Sequence, residues 1–168
     1  IGCIDANSLV SGKGILRLQK AGCSVTVGVL ENDCKEHHKR FFTVQEKKRP
    51  YIILKWAETS DGFIAPLSKK DNKPVWISNQ YSQQIVHKLR SREHAILVGT
   101  NTVLADNPKL NVRSWSGNSP IRIVLDKNLR INSDANLFDI AIKTIVFFEN
   151  NNERREIKEN NANLIFEQ

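Results

Sequence analysis

Cysteine is scarce in this sequence, which has three cysteines, Cys3, Cys23 and Cys34, among 168 residues. Their number is odd, they are widely spaced, and no two form a Cys-x-x-Cys pair. The pattern therefore predicts neither a disulfide framework nor a zinc ribbon. We expect three small apolar residues in a reducing compartment, the cytoplasm.

Long apolar runs are also missing. The chain has no stretch of about 18 apolar residues, the length that a membrane-spanning helix needs. Residues 1–7 lack the basic start and apolar stretch of a signal peptide, and the chain does not begin with methionine. We therefore expect no membrane partner, and we interpret the beginning of the chain as a cut end.

Acidic residues are outnumbered, because 25 Lys and Arg face 18 Asp and Glu and leave a formal net charge of +7. A basic cluster over residues 35–49 raises the question of nucleic acid, but Glu36 and Glu46 interrupt it. No nucleic-acid-binding motif accompanies this cluster, so a solvated helix face followed by a linker is the favoured interpretation. Positive charge suits a phosphorylated substrate and cofactor equally well.

Hydrophobic periodicity predicts an alternation of helices and strands. Helices are predicted over residues 11–21, 32–42, 79–93, 100–105 and 150–163. Strands are predicted over residues 23–30, 51–57, 94–98, 121–125, 144–148 and from 164 onward. The alternation from residue 51 predicts an α/β fold with a largely parallel sheet, and the charged stretch 45–50, which ends in proline, predicts a linker.

Three short signatures follow one another in the middle of the chain: LKWAETSDG at residues 54–62, VWIS at 75–78 and GTNTVLADNPKL at 99–110. In the first and the third, an apolar run leads into a polar turn, which is how α/β proteins build small-molecule sites at strand ends. As a set, the three signatures resemble the reductase domain of the bifunctional riboflavin-biosynthesis deaminase-reductase.

The resemblance implies two parts. Residues 1–46, with DANSLVSGKG at 5–14 and KRFF at 39–42, are similar to the carboxyl-terminal remnant of the family's cytidine-deaminase-like α/β domain. Residues 47–168 are similar to the first two-thirds of its reductase domain, whose fold is that of dihydrofolate reductase. The His-x-Glu and Pro-Cys motifs that hold zinc in the deaminase are not in this sequence. Zinc is therefore implied only for a preceding part of the protein.

The implied activity is riboflavin biosynthesis. An NADPH-dependent reductase would convert the ribosyl group of 5-amino-6-(5-phosphoribosylamino)uracil to ribityl, in a protein whose other part is a zinc pyrimidine deaminase. A homo-oligomer in the cytoplasm, with no nucleic-acid partner, is expected. Two other hypotheses remain open: a catalytically silent scaffold or oligomerisation fragment, and a basic nucleic-acid-binding module.

For the substrate, the resemblance implies Arg90, Leu110 and Arg113, with Leu110 lining the pocket. Arginine suits a phosphate because its planar guanidinium binds phosphate oxygens in pairs. An ordinary surface charge is the alternative for Arg90. Pro74 stands where the family often has serine, and proline can offer only its carbonyl.

For the cofactor, the resemblance implies five positions: Ala57, Trp76, Thr102, Asp106 and Lys127. Each of three has a simpler interpretation, since Trp76 would serve as a core aromatic, Thr102 as a hydroxyl bonding its own helix and Asp106 as a turn residue. Lys127 replaces a small hydroxyl residue that is frequent in the family, at a turn where a 2′-phosphate would fit.

Lys55 and Asp106 are the two predicted catalytic residues. A lysine in an apolar strand is costly unless its amine reaches water or a partner. One interpretation aims this cation at the pocket, where it polarises the opened sugar or its imine. The other lets it extend past the sheet edge into water. Asp61 also has two interpretations, a loop over the nicotinamide and a turn residue.

Overall fold

The computed structural model describes residues 1–68, 73–149 and 162–167. The chain divides into two compact units, Ile1–Lys55 and Trp56–Gln168. No helix among the described residues is long and apolar enough to cross a membrane.

The first unit contains three helices: α1 (Lys13–Lys20), α2 (Glu31–His37) and α3 (Lys39–Lys47). The prediction of α1 is confirmed, and the chain leaves it through Gly22 at a φ of 82°, a conformation that glycine adopts at little cost. The second predicted helix is divided in two at His38. It also extends beyond its predicted end, because the first left-handed residue after it is Lys48, with a φ of 52°.

The strand predicted over residues 23–30 is wrong. The backbone there packs on the amino-terminal residue instead of joining a sheet: the Ile1 carbonyl accepts from the Gly28 N–H at 2.9 Å, and the Ile1 ammonium donates to the Thr26 carbonyl at 2.8 Å. Gly28 bends the chain at a φ of 90°. A short apolar run carries strand propensity but cannot specify its own hydrogen-bond partner.

The strand predicted over residues 51–57 is also wrong. The segment is irregular in structure, and its apolar side chains are largely in solvent, with Leu54 79% and Trp56 63% exposed. Lys55 is exposed too, so the premise that it lies in a buried strand does not hold. The run has β-type composition, but no neighbouring strand among the described residues pairs with it, and a strand needs such a neighbour to satisfy its backbone.

The second unit follows the predicted alternation. Its elements are α4 (Gln80–Arg90), β1 (Ala95–Gly99), α5 (Thr100–Asp106), β2 (Ile121–Leu125), a 3₁₀ turn (Asn136–Phe138), β3 (Thr144–Phe147) and β4 (Leu164–Glu167). Asn79 caps α4 as expected, since its side-chain oxygen accepts from the Ser82 N–H at 2.9 Å. The predicted helix over 150–163 lies outside the described residues except for its last two positions.

The four strands form a parallel sheet in the order β1-β2-β3-β4, which confirms the predicted α/β class. One face of this sheet carries the packed side chains of the unit. Val124 and Val146 face that side and pack with Val103 from α5 and with Leu137. Leu97 lies on the opposite face and is 57% exposed. The core of this unit therefore lies on one side of the sheet.

A charged residue is buried within this core. Arg122 of β2 is 0% exposed, and its guanidinium donates to both carboxylate oxygens of Asp139 at 3.0 Å and to the Leu137 carbonyl at 2.8 Å. The Leu137 carbonyl also accepts from the Thr144 hydroxyl at 2.7 Å. A buried arginine needs such partners, because an unpaired charge in a core is costly. The pair therefore fastens the 3₁₀ turn to the middle of the sheet.

Replacing Asp139→Asn is expected to destabilise the chain by about 2–3 kcal/mol, below the range for fully buried pairs because Asp139 is partly exposed. Chemical denaturation would measure the loss. Asp134→Asn, at an exposed carboxylate nearby, is the matched control and should leave the free energy of unfolding within about 0.5 kcal/mol of wild type.

The hydrogen bonds from Arg122 also lower the pKa of the Asp139 carboxyl. A carboxyl group with a lowered pKa in the folded state stabilises the fold at every pH above its ordinary pKa, near 3.8. This stabilisation is lost as the pH falls through the lowered pKa of the folded state. The difference in stability between wild type and Asp139→Asn should accordingly shrink in acid. An equal difference at pH 7 and in strong acid would contradict this account.

Candidate functional site

The carboxyl ends of the parallel strands meet at one edge, where α/β proteins place ligands. Asp126 follows β2 at this edge and is 2% exposed. Its carboxylate accepts from the Thr100 hydroxyl at 3.1 Å and from the Arg130 and Ile131 N–H groups at 3.0 and 2.9 Å. The Thr100 hydroxyl also lies 2.8 Å from the Leu125 carbonyl. Asp126 thus joins the start of α5 to the loop after β2.

Lys127 stands next to Asp126, exposed at the same edge. Its ammonium forms an ion pair with Glu149 at 2.9 Å, and the Lys127 carbonyl accepts from the Glu149 N–H at 3.0 Å. Both side chains are mostly in solvent. Exposed pairs of this kind contribute about 0–1 kcal/mol, so an anionic ligand can compete for the ammonium.

Thr102 and Asp106 lie on α5, four residues apart, and therefore on one face of that helix. Thr102 is exposed and Asp106 is half-buried. The helix ends at Asn107, a left-handed residue with a φ of 39°. Asn136 secures this end: its N–H donates to the Asn107 side-chain oxygen at 2.8 Å, and its amide donates to the Asn107 carbonyl at 2.7 Å.

Two arginines come together beside α4. Arg90 and His87 are three residues apart on this helix, on one face, and residues 110–113 lie across them. The Arg90 guanidinium donates to the Asn111 carbonyl, and the Arg113 guanidinium donates to the Asn111 side-chain oxygen at 3.1 Å. The Arg113 N–H donates to Nδ1 of His87 at 3.3 Å. We call His87, Arg90, Asn111 and Arg113 the α4 cluster.

The cluster is positively charged. Burial, and then the nearby Arg113 charge, lower the pKa of Arg90, although an arginine remains protonated. Burial, followed by the charges of Arg90 and Arg113, lowers the pKa of His87, which favours its neutral form. Within the described residues neither guanidinium takes part in an ion pair, and the buried Nε of Arg90 has no hydrogen-bond partner. The α4 cluster can therefore donate hydrogen bonds from its guanidiniums to a bound anion.

The structure therefore brings some of the predicted site residues together. Arg90 and Arg113 meet at the α4 cluster, and Leu110, which is 7% exposed, directly precedes Asn111 of that cluster in the chain. Thr102 and Asp106 share α5, which begins at the strand edge that also carries Lys127.

Other predicted residues are not joined to these groups. Ala57, Pro74 and Trp76 lie on irregular segments, and within the described residues no hydrogen bond or ion pair connects them with the α4 cluster. Trp76 is 59% exposed, so the interpretation as a core aromatic is wrong. Lys55 is the last residue of the first unit. On the Ser-x-Asp-Gly turn, Asp61 accepts from the Thr59 hydroxyl, which supports its interpretation as a turn residue.

Sequence reasoning missed His87 and Asn111. The signal for His87 was its spacing of three residues before Arg90, which places both on one helix face. Asn111 gave no comparable signal, because its carbonyl, a group that every residue has, makes the contact with Arg90. Asp126, next to Lys127 on the same turn, was not predicted as a site residue either, although it organises the strand edge.

Among the described residues, no three His, Cys, Asp or Glu side chains lie close enough together to hold a metal ion. The rings of His37 and His38 meet edge to face, with centroids 4.9 Å apart. An open apolar depression in the first unit, lined by Ile4, Val10 and Leu18 among others, contains none of the predicted site residues.

Comparison with known proteins shows what this chain is similar to. Residues 50–166 match the family described as RibD C-terminal domain. The riboflavin biosynthesis protein RibD of Aquifex aeolicus (strain VF5) is 39% identical over 98% of this chain and 46% of its own length. That of Actinobacillus pleuropneumoniae is 40% identical over 84% of this chain and 37% of its own length. The chain thus spans less than half the length of these curated relatives.

Solved structures agree in fold. A diaminohydroxyphosphoribosylaminopyrimidine deaminase/5-amino-6-(5-phosphoribosylamino)uracil reductase from Thermotoga maritima is 34% identical, with a TM-score of 0.80 over 99% of this chain and 45% of that one. Acinetobacter baumannii RibD is 28% identical, with a TM-score of 0.77 over 99% of this chain and 46% of that one. The parallel-sheet α/β fold matches these structures.

The 168-residue chain is expected to hold well under one zinc ion per molecule. The three cysteines are free, and a catalytic zinc needs three converging thiolate, imidazole or carboxylate ligands. Metal analysis of the purified chain after mild chelation measures this, and a firmly held equivalent of zinc would contradict the expectation.

Proposed function

We propose, because this chain belongs to the RibD C-terminal domain family, that it carries the reductase site of a riboflavin-biosynthesis enzyme. The substrate is 5-amino-6-(5-phosphoribosylamino)uracil, whose ribosyl group is reduced to ribityl. NADPH, when bound, supplies the hydride. Opening of the ribose ring would move the proton of the attached nitrogen to the ring oxygen and leave an imine, and reduction would then add the hydride at C1 and a proton at that nitrogen.

The observation that carries this proposal is the pair of guanidiniums in the α4 cluster. Both guanidiniums donate to oxygens of Asn111, and after burial the Arg113 charge is the second cause that lowers the pKa of Arg90. Two like charges held near each other raise the energy of the empty site, and a phosphate dianion removes that cost when it binds. Charge-assisted hydrogen bonds to phosphate are about twice as strong as neutral ones, which makes the α4 cluster a suitable binding site for the substrate's 5-phosphate.

Leu110 would line the same phosphate-binding site. Its buried side chain lies next in sequence to Asn111, whose carbonyl and side-chain oxygen hold the two guanidiniums in place. Pro74 would contribute at most its carbonyl oxygen, because proline has no N–H to donate.

On the cofactor side, the proposal assigns Ala57, Trp76, Thr102, Asp106 and Lys127. Lys127 is an exposed cation at the carboxyl edge of the sheet, and its ion pair with Glu149 is weak enough for a 2′-phosphate to displace. The exposed indole of Trp76 and the exposed hydroxyl of Thr102 are free to contact a ligand. These groups fit the adenosine 2′-phosphate and the polar parts of NADPH.

Lys55 and Asp106 are the proposed catalytic residues. An exposed ammonium at Lys55 would stabilise negative charge on the oxygen released when the sugar opens. Asp106, on the same face of α5 as Thr102, would hold a polar group of the substrate or cofactor through its carboxylate.

For the natural protein, we propose a bifunctional deaminase-reductase that acts as a homo-oligomer in the cytoplasm. Residues 1–46 would belong to the deaminase part and residues 47–168 to the reductase part, and zinc would be held outside these residues. Support comes from the two activities in the printed name of the Thermotoga maritima protein and from the share of it, 45%, that this chain covers.

The first test concerns the phosphate. In the protein that carries this chain, Arg90→Ala and Arg113→Ala should each weaken binding of the phosphorylated substrate by about ten- to a hundredfold, since a charge-assisted hydrogen bond is worth about 1.5–3 kcal/mol. Calorimetric titration with the substrate and with its dephosphorylated nucleoside measures the effect. Arg92→Ala, at an exposed arginine just past α4, is the matched control. Equal affinity of wild type for both ligands would refute the phosphate assignment.

The second test concerns Lys55. Lys55→Ala should abolish substrate-dependent NADPH oxidation, followed by absorbance, while deamination continues. Lys47→Ala, at an exposed lysine near the end of α3, is the control and should keep both activities. Near-normal oxidation by Lys55→Ala would remove Lys55 from the mechanism. No NADPH binding by wild type would instead favour a catalytically silent scaffold.

A further inference from the structure

The segment Leu110–Arg113 that carries the second arginine is a strained piece of chain. Leu110 has a φ of 52°, in the left-handed region, yet its side chain is buried. This conformation costs a residue with a Cβ about 1–2 kcal/mol. The segment has no strand or helix to hold it, so its position depends on individual hydrogen bonds.

Three such bonds fasten it. The Asn111 carbonyl accepts from Arg90, the Val112 N–H donates to the Ser119 hydroxyl at 3.0 Å, and the Arg113 N–H donates to Nδ1 of His87 at 3.3 Å. Only the last of these acts on the backbone of Arg113 itself. His87 is 5% exposed, so water cannot easily replace the imidazole as the acceptor.

We propose that His87 is a positioning residue of the phosphate site: its neutral imidazole holds the Arg113 backbone against α4 and thereby keeps the Arg113 guanidinium beside Arg90. The inference rests on the proposed function, because it concerns the same anion site. His87 itself contacts no substrate. His87 affects binding indirectly, because it holds Arg113 in position.

The chemistry of the imidazole supports this role. Nδ1 can accept the Arg113 N–H only when the ring is neutral with its proton on Nε2. The charged groups that act on the ring are Arg90 on its own helix and Arg113 on the facing segment, and both disfavour a third positive charge. Burial of the ring, and then the two guanidiniums, lower the pKa of His87 and favour the neutral imidazole that accepts from Arg113.

Side chains of different shape separate this role from simple packing. In His87→Asn, the side-chain oxygen stands close to the place of Nδ1 and can accept the same N–H. In His87→Gln, the polar group lies farther out, near the place of Nε2. His87→Leu keeps much of the volume and has no acceptor. His94→Leu, at an exposed histidine outside the cluster, is the matched control.

The experiment measures how much more tightly each variant binds 5-amino-6-(5-phosphoribosylamino)uracil than its dephosphorylated nucleoside, by calorimetry on the protein that carries this chain. His87→Leu should lower this preference about five- to tenfold, the worth of one hydrogen bond, with affinity for the nucleoside unchanged. His87→Asn should restore most of the preference, His87→Gln should not, and His94→Leu should match wild type.

The alternatives give different results. An unchanged preference in His87→Leu, or a preference in His87→Asn no better than in His87→Gln, would overturn the positioning role. A wild type without any preference for the phosphorylated ligand would refute the proposed phosphate site instead. Where His87→Leu fails to fold, as thermal unfolding would show, the comparison of the asparagine and glutamine variants decides the question.

Discussion

The fold of the second unit depends on a buried cation in the middle of its sheet. Arg122 donates to the Leu137 carbonyl and the Asp139 carboxylate, and so fixes the 3₁₀ turn whose Leu137 belongs to the core of the unit. Asn136 in that turn holds Asn107, the residue that ends α5. A continuous path of hydrogen bonds and covalent chain thus leads from β2 to the helix that carries Thr102 and Asp106. Because the Arg122 charge is buried, removing the Asp139 carboxylate or the Leu137 carbonyl as its partner would be costly.

The two positive charges beside α4 are in the opposite situation. Arg90 and Arg113 are near each other, and within the described residues no carboxylate pairs with either. Their oxygen contacts come from Asn111, an uncharged residue that orients the guanidiniums without neutralising them. An arginine whose charge is balanced by a carboxylate stabilises the fold. Arginines whose charge no carboxylate balances are suited to bind an anion. The same residue type therefore has two roles in one unit of this chain.

Membership of the RibD C-terminal domain family rests on residues 50–166, and the solved structures match over 99% of the chain. The family establishes the type of domain, while the charges and hydrogen bonds of the α4 cluster indicate which part of a phosphorylated ligand would lie there. The strand edge marked by Asp126 and Lys127 is a separate region of the same unit. These two positively charged regions suit the proposed reaction, in which both substrate and cofactor would carry phosphate.

The sequence by itself determined the local features: the helix cap at Asn79, the glycine turn at Gly22 after α1 and the strands of the second unit. A cap, a glycine turn and an apolar period each depend on only a few neighbouring residues. It could not determine whether residues 51–57 find a strand partner, since pairing depends on distant chain, and there the prediction was wrong. The family resemblance implied Arg90 and Arg113, but His87 meets Arg113 across 26 positions. Only the tertiary structure decides such contacts, because hydrogen bonds between distant segments leave no periodic trace in the sequence.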